Sequence, residues 1–263
     1  MCSIFNDHLF CKKLMKSSCL HYHFETIGST NTWAKENVDQ IDPEGVTLIS
    51  ASEQTLGRGR FKRRWQSPIN LNIYATFCFY IDSNRSDFGH LPQLLALAAI
   101  QVLEDLNFHP TLKWPNDILL DGKKVAGILC ETMMLEQKRC MINGIGLNVN
   151  MPTELLNKID RPATSLFKER GHEFDLNILL KQLDVKFTSY LSHFLKHGFD
   201  AFFPSFQLRS NFQQGQFIQF NHNQTLLEGT FEGLHPDGSV QIKLLDGTSK
   251  KFYSGEFMFA DFI

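Results

Sequence analysis

Apolar and polar residues alternate along several short stretches of the chain, which is the pattern of β-strands with one buried face. The first such stretch is residues 19–26, where Leu20, Tyr22 and Phe24 share one face. Further strand-like runs, separated by turn-forming residues, follow at residues 46–51, 71–81, 111–114, 118–120, 124–132 and 139–148. The pattern predicts a sheet built from these short strands.

Other stretches have the period of helices. Residues 91–106 are apolar on nearly every side, which predicts a helix packed against the sheet. A short helix is predicted at residues 33–37, with Ser29, Thr30 and Asn31 as candidate N-caps. Residues 176–195 form a long amphipathic helix, and its apolar stripe belongs in the core. The stripe consists of Leu176, Leu179, Leu180, Leu183, Phe187, Leu191 and Phe194.

The character of the sequence changes near residue 211. Short strands at 217–220, 229–234, 240–244 and 250–253, with glycine-containing turns between them, predict a small all-β barrel. We therefore expect an α+β fold, a mixed sheet with packed helices followed by this barrel. The expected division is an N-terminal tail over 1–18, a catalytic domain over 19–210 with a connecting segment at 162–170, and a C-terminal domain over 211–263.

The amino-acid composition argues against some classes of function. The chain has 263 residues, of which 43% are hydrophobic and 21% charged, and its net charge is -2. This balance is ordinary for a soluble globular protein and argues against binding nucleic acid through bulk charge. No apolar run reaches the roughly 18 residues that span a bilayer, and the N-terminus lacks a secretory apolar region. The expectation is a cytoplasmic protein.

The six cysteines show neither a CxxC pair nor zinc-ligand spacing with histidines. Cys78 and Cys130 fall inside apolar strand-like runs, which favours buried thiols over a catalytic nucleophile.

Residues 53–65, EQTLGRGRFKRRW, form what we name the arginine loop. Its glycines let the backbone curl closely around a ligand, and its arginines offer paired donors to phosphate or carboxylate. Because its clustered cations repel one another, we expect the loop to be mobile until an anion fills it. By itself the run is equally compatible with a solvated basic loop.

Two more clusters have residues suited to joining a carboxylate to ATP: KWPND at 113–117 and KKVAG at 123–127. That reaction brings two anions together, so lysines, arginines and Mg²⁺ must stabilise the charge that builds on the phosphates. Asp117 is a candidate ligand for Mg²⁺, or simply a turn aspartate. Trp65 and Trp114 are candidates to cover an adenine or a fused-ring substrate, or to pack in the core.

Taken together and in order, these motifs resemble those of the biotin–protein ligases, over roughly residues 20–255. The matching segments are Ser29-Thr30-Asn31, Gln54 with Gly57-Arg58-Gly59-Arg60, Trp65 with Ser67-Pro68, Lys113-Trp114-Pro115-Asn116-Asp117, Lys124-Val125-Ala126-Gly127-Ile128-Leu129 and Gly144-Ile145-Gly146-Leu147-Asn148-Val149-Asn150. The resemblance is to the monofunctional class, because residues 1–18 are too short for an N-terminal DNA-binding domain, and we expect no repression.

The resemblance implies a fold, a reaction and partners. The fold is a mixed sheet with helices followed by an SH3-like barrel. Biotin and MgATP form biotinyl-5′-adenylate and pyrophosphate, and a lysine of the biotin carrier domain of acetyl-CoA carboxylase or a related carboxylase then takes the biotin. The arginine loop closes over the adenylate. No DNA or membrane partner is implied, and we expect a monomer or homodimer.

It also implies site residues, each matched to this sequence. Lys124, Lys113 and Arg58 are the catalytic candidates. Biotin or its adenylate is contacted by Ser29, Thr30, Asn31, Gln54, Arg58, Gly59, Arg60, Lys124 and Gly127. The nucleotide side consists of Arg63, Trp65, Lys113, Asn116 and Asn148, with Asp117 as the metal candidate.

One departure and three rivals accompany this hypothesis. Leu56 and Phe61 are bulkier than the residues frequent in the family's loop, which can alter its order. A related enzyme acting on lipoate or octanoate is the main rival: a transferase would use a cysteine and no ATP, and a lipoate ligase would lack the GRGR frame. A nucleic-acid-binding repressor and a non-catalytic biotin-binding module are the others.

Overall fold

A computed structural model describes residues 12–16 and 19–258, with side chains from residue 20. In chain order, the strands are β1 (Lys12–Lys16), β2 (Cys19–Ile27), β3 (Val46–Gln54), β4 (Asn72–Asp82), β5 (Thr111–Lys113), β6 (Asp117–Leu120), β7 (Lys123–Leu135), β8 (Lys138–Asn148), β9 (Phe217–His222), β10 (Thr225–Leu234), β11 (Val240–Leu244), β12 (Ser249–Phe252) and β13 (Glu256–Phe257). The α-helices are α1 (Thr30–Glu36), α2 (Leu91–Asp105), α3 (Thr153–Leu156), α4 (Leu166–Arg170), α5 (Leu176–His197) and α6 (Phe203–Leu208).

Contacts within the chain define two compact units. The first unit comprises the described residues of Met1–Ser83 together with Leu129–Ile159 and Ser165–Leu176. The second comprises Asn84–Ile128, Asp160–Thr164 and the described residues of Asn177–Ile263. This is a different division from the predicted domains at 19–210 and 211–263, whose boundary stays a prediction.

In the first unit the strand order is β1-β2-β3-β4-β8, followed by the C-terminal part of β7. β2 and β3 are parallel, whereas β3–β4 and β4–β8 are antiparallel, so the sheet is mixed as predicted. One face of β2–β4 and β8 buries Tyr22, Phe24, Ile49 and Ile142 together with Ala34 of α1. This apolar contact fixes α1, and with it the polar residues at the start of the helix.

In the second unit the N-terminal part of β7 continues into β6 and β5. A second sheet has the order β12-β11-β10-β9-β13, and every pair in it is antiparallel. The expected α+β fold, with a mixed sheet and packed helices followed by an SH3-like C-terminal domain, is confirmed.

Helix α5 follows the predicted stripe. Leu179, Leu183, Phe187, Leu191 and Phe194 are buried, whereas Leu176 and Leu180 at the stripe's edge are half-buried. Within the described residues, no helix combines the length and apolar character needed to cross a membrane.

The structure contains regular elements in two segments for which the sequence predicted none. Lys12–Lys16, assigned to a tail, forms β1, because its backbone pairs antiparallel with β2; the other residues of 1–18 lie outside the described part. The predicted connecting segment at 162–170 contains α4, which begins where Ser165 Oγ accepts a hydrogen bond from Lys168 N at 3.1 Å and ends at left-handed Gly171.

Candidate functional site

In the first unit, α1 begins with three buried polar residues, Ser29, Thr30 and Asn31. Ser29 occupies the N-cap position, but its side chain makes no capping hydrogen bond. The cap comes instead from Gln54 at the end of β3, whose Oε1 accepts from Thr30 N at 3.0 Å and from Thr30 Oγ1 at 3.2 Å. Gln54 Nε2 then donates to Ser67 Oγ at 3.1 Å. This neutral network holds the start of α1 against β3.

Asn31 has its amide fixed from both ends. Nδ2 donates to Leu129 O at 3.1 Å and to Glu131 Oε2 at 3.0 Å, while Oδ1 lies 2.7 Å from Thr76 Oγ1. A Cβ on Gly144 of β8 would overlap Asn31 Oδ1. Only glycine at residue 144 therefore lets the amide lie directly on the sheet.

A second glycine of β8 serves Trp65 in the same way. A Cβ on Gly146 would overlap the indole ring of Trp65. At both glycines, the groups that approach the backbone closely are the protein's own side chains.

The arginine loop is a hairpin in this structure. Trp65 N donates to Gly57 O at 2.9 Å, and Gly59 N donates to Arg63 O at 2.8 Å. At its tip Phe61 and Lys62 have left-handed backbones, with φ of 56° and 60°. The guanidinium carbons of Arg60 and Arg63 lie 4.9 and 5.6 Å from the centre of the exposed Phe61 ring, at cation–π distance.

Arg58 instead points to a carboxylate on β7. Its Nη2 lies 3.2 Å from Glu131 Oε2, and Lys35 Nζ of α1 lies 2.7 Å from Glu131 Oε1. Burial acts to raise the pKa of Glu131, but the hydrogen bonds from Lys35 and Asn31 and the charge of Arg58 prevail and lower it. Glu131 is therefore an anion at neutral pH.

In the second unit, the β6–β7 hairpin places two charged residues together. Lys124 Nζ is 2.6 Å from Asp117 Oδ1, and both side chains are 14% exposed. Lys113, on β5, is buried, and burial lowers the pKa of its ammonium to about 8, although Asp117 and Glu256 act to raise it. Lys113 therefore stays charged at neutral pH. Because its ammonium is largely removed from water, its electrostatic interaction with a nearby anion is stronger than it would be in solvent.

Asn116 and Trp114 of the KWPND motif make contacts within the second unit. The Asn116 side chain donates to Ile128 O, and Ile128 N donates to Asn116 O at 3.0 Å, which ties the turn to β7. Trp114 is buried: its Nε1 donates to Gly238 O at 2.9 Å, and its ring centre lies 6.1 and 6.0 Å from those of Phe220 and Phe257. Of the two roles open for Trp114, the structure favours core packing.

Among the described residues, no group of three or more His, Cys, Asp or Glu side chains could hold a metal ion. Cys78 and Cys140 are buried, and Cys130 is half-buried. Burial raises the pKa of Cys130 to about 12 and that of Cys140 to about 11, so these thiols stay protonated. The prediction of a buried thiol is confirmed for Cys78, whereas Cys130 is only half-buried.

Comparison with known proteins identifies the family of this chain. The profile of the biotin/lipoate A/B protein ligase family matches residues 23–149, and that of the biotin protein ligase C-terminal domain matches residues 215–259. The bifunctional ligase/repressor BirA of Bacillus subtilis is 32% identical over 244 residues, which are 90% of this chain and 73% of that protein. The chain belongs to the biotin/lipoate A/B protein ligase family.

Two more similarities lie among biotin ligases. The biotin–[acetyl-CoA-carboxylase] ligase of Paracoccus denitrificans is 28% identical over 206 residues, 76% of this ligase and 85% of that protein. The solved structure of the biotin protein ligase from Aquifex aeolicus in complex with biotin and ATP is 28% identical, with a TM-score of 0.75 over 92% of this ligase and 98% of that chain.

The structure sorts the predicted site residues of this ligase by unit. The first unit contains Ser29, Thr30, Asn31, Gln54, Arg58, Gly59, Arg60, Arg63, Trp65 and Asn148, and the second contains Lys113, Asn116, Asp117, Lys124 and Gly127. The contacts above bring Thr30 and Gln54 together in the first unit and Asp117 and Lys124 together in the second. The roles of all these residues in catalysis stay predictions.

Sequence reasoning missed Lys35, Thr76 and Glu131, which complete the cluster around Asn31. A signal existed for Glu131, since it is a lone carboxylate in the apolar run 125–132, and such a charge needs partners. No comparable signal marks Thr76, because threonine is ordinary in a strand.

Proposed function

We propose that this ligase attaches biotin to a protein lysine in two steps. The biotin carboxylate attacks the α-phosphate of MgATP, forming biotinyl-5′-adenylate and releasing pyrophosphate. The amine of the acceptor lysine then attacks the acyl carbon, forming an amide and releasing AMP and a proton.

The neutral polar network around Thr30, Asn31 and Gln54 carries the proposal. The ureido ring of biotin is polar but uncharged, so it needs hydrogen-bonding partners without net charge. Asn31 Oδ1 faces Thr76 and keeps a second lone pair that can accept a ligand N–H. Ser29 lies beside this network, and Gly127-Ile128-Leu129 offers an apolar wall for the thiophane ring and tail.

We propose that cationic side chains stabilise the negative charges on the phosphates during the reaction. In the first unit, Arg58 offers a cation to an anionic substrate. In the second unit, Lys124 has the same role and Lys113 stabilises the phosphates of the nucleotide. Arg60, Gly59 and Arg63 close the loop over the mixed anhydride, which hydrolyses if water reaches it. Trp65, Asn116 and Asn148 shape the nucleotide side.

Magnesium enters with ATP as part of the co-substrate. Mg²⁺ is typically held by substrate phosphates, waters and one or two carboxylates. Asp117 offers one carboxylate, but its Oδ1 is engaged by Lys124, and the described residues form no larger cluster of ligands. The prediction that Asp117 contacts the metal directly therefore receives no support from its surroundings.

The acceptor we propose is the biotin carrier domain of a carboxylase. Relatives named for acetyl-CoA carboxylase support this choice. We further propose that the ligase works in the cytoplasm, as a monomer or homodimer.

The test is pyrophosphate release from MgATP with biotin, lipoate or octanoate offered separately, followed by mass spectrometry of an added biotin carrier domain. We expect release with biotin, and a biotin mass gain on one lysine of the carrier. Lys124→Ala should abolish release, whereas Lys123→Ala, its neighbour at the start of β7, should retain it. Release only with lipoate or octanoate would overturn the choice of substrate, and no release with any acid would favour a binding module.

A further inference from the structure

Glu131 joins two parts of the first unit that have different chemistry. Its Oε2 accepts a hydrogen bond from the neutral amide of Asn31 and also faces the guanidinium of Arg58, at 3.0 and 3.2 Å. Its Oε1 faces the ammonium of Lys35 at 2.7 Å. One carboxylate thus orients the amide at the start of α1 and holds an arginine of the arginine loop.

The charges around Glu131 do not balance. Lys35 and Arg58 carry two positive charges, and Glu131 offsets one of them. The Glu131 side chain is 24% exposed and that of Arg58 is 38% exposed, so their ion pair is reachable by solvent and of modest strength. A second anion of suitable geometry can therefore displace Glu131 from Arg58.

The clustered cations of the arginine loop predicted that an anion must fill it, and in the structure Glu131 is an anion that Arg58 holds. A phosphoryl group that reaches Arg58 has to replace this contact, and it also meets the negative charge of Glu131.

We propose that Glu131 is a positioning residue that competes with the phosphoryl group of the acyl-adenylate for Arg58. This inference rests on the proposed function. Glu131 lowers the affinity of the ligase for the anionic linker while supporting Asn31 through its hydrogen bond. It tunes how tightly the intermediate is held without touching the reacting atoms.

The Glu131→Gln variant separates these two effects. The glutamine amide oxygen can still accept the hydrogen bond from Asn31, but the negative charge is gone. The variant should therefore bind an anionic linker more tightly and leave the recognition of biotin itself unchanged. A residue that only stabilises the fold would not produce a gain of affinity.

The experiment is calorimetric titration of the whole protein with two stable analogues of biotinyl-5′-adenylate, one with a phosphodiester linker and one with an uncharged linker. For Glu131→Gln we expect about a fivefold tighter Kd for the phosphodiester analogue, the scale of a partly exposed ion pair, and no change for the uncharged analogue. In an Arg58→Ala background the gain should vanish. Glu136→Gln, which removes the same charge at an exposed turn, should change neither Kd.

The outcomes distinguish the two proposals. If the unaltered protein binds neither analogue, the proposed function fails. If it binds both, and Glu131→Gln holds the phosphodiester analogue no more tightly than the unaltered protein does, competition for Arg58 is wrong. Should Glu131→Gln not fold, Glu131→Asp, whose shorter chain retracts the carboxylate from Arg58, must show a smaller gain of the same sign, and its absence overturns the proposal.

Discussion

At the scale of single residues, the two glycines of β8 matter because they have no side chain. Gly144 and Gly146 lie two positions apart and so face the same side of the sheet, where Asn31 and Trp65 rest on bare backbone. A methyl group at either position would push its partner side chain off the strand, so these two glycines determine where the side chains of Asn31 and Trp65 lie.

Replacing Gly144 by alanine tests this at one site. The added Cβ overlaps Asn31 Oδ1 and must displace the amide, so we expect biotin affinity to fall roughly tenfold or more. Calorimetric titration with biotin is the measurement. Gly89→Ala is the matched control, because a Cβ there meets nothing within 4 Å. Equal biotin affinities for the two variants would contradict the role given to Gly144.

Lys113 predicts a pH dependence. Burial lowers its pKa to about 8, so its ammonium loses the proton as pH rises through that value. If the charge stabilises the phosphates, kcat/KM for MgATP should be full well below pH 8, fall to about half near pH 8 and decline further above it. The measurement is pyrophosphate release at limiting MgATP across this range. Lys113→Arg stays charged and should lose the decline; a decline of equal size in that variant would rule Lys113 out as its source.

At the scale of elements, α5 shows how an apolar stripe stabilises a helix. Leu183 is 1% exposed, whereas Val185, two residues later, is 62% exposed. The helix begins and ends where the periodicity does, within a few residues, because burial of the stripe rather than local propensity holds it in place.

Leu183→Ala should lower the free energy of unfolding by about 2–5 kcal/mol, because it removes buried methyl groups and leaves a cavity. Val185→Ala should change it by less than about 0.5 kcal/mol. Urea denaturation followed by circular dichroism gives both values. Similar losses from the two substitutions would mean that the stripe is not the core-facing side of α5.

The arginine loop carries a prediction about retention of the intermediate. Arg58→Ala should leave adenylate formation possible but let biotinyl-5′-adenylate escape, since the loop loses an anion contact. Chromatography with mass spectrometry of the solution during turnover measures the released adenylate. Lys62→Ala, at the exposed loop tip, is the control. Unchanged release from the Arg58 variant would show that Arg58 does not retain the intermediate.

The sequence predicted elements well where burial repeats along the chain. Strands β2, β3, β4, β7 and β8 and helices α2 and α5 were found because each extends over enough residues to show a period. Helices α3, α4 and α6 span 4, 5 and 6 residues, which is too short for a period to stand out. β1 is held by backbone pairing, which leaves no clear signature in side chains.

The residues of the candidate site likewise divide into those that the sequence could predict and those that it could not. Motif residues such as Asn31, Arg58 and Lys124 could be named from spacing and resemblance. Their partners could not, because Glu131 contacts Asn31 and Lys35 across 100 and 96 residues of sequence, and only the fold brings them together.

At the scale of the whole molecule, the KWPND motif connects catalysis to the C-terminal domain inside the second unit. Trp114 follows Lys113 directly, and its indole donates to Gly238 O and packs beside Phe220 and Phe257 of that domain. The lysine proposed to meet the nucleotide is thus next to a residue that the small β domain holds.

Trp114→Phe removes the hydrogen bond to Gly238 and thins this packing. We expect a loss of about 1–2 kcal/mol in the free energy of unfolding, and a raised KM for MgATP with the KM for biotin unchanged. Steady-state kinetics with each substrate varied gives the comparison. Trp33→Phe, a matched change in the first unit, should leave the KM for MgATP unaltered; equal effects of the two variants on it would contradict the connection.

The contact between Trp114 and the C-terminal domain also links the binding of nucleotide to the local opening motions of that domain. Under the proposed roles, an opening that frees the indole also loosens Lys113, so bound MgATP must make such openings rarer. At a hundred times its Kd, a ligand that binds only the closed form adds up to about 2.7 kcal/mol against opening. The C-terminal domain contributes no proposed substrate contact. Its backbone amide hydrogens would nevertheless exchange with solvent more slowly whenever nucleotide is bound.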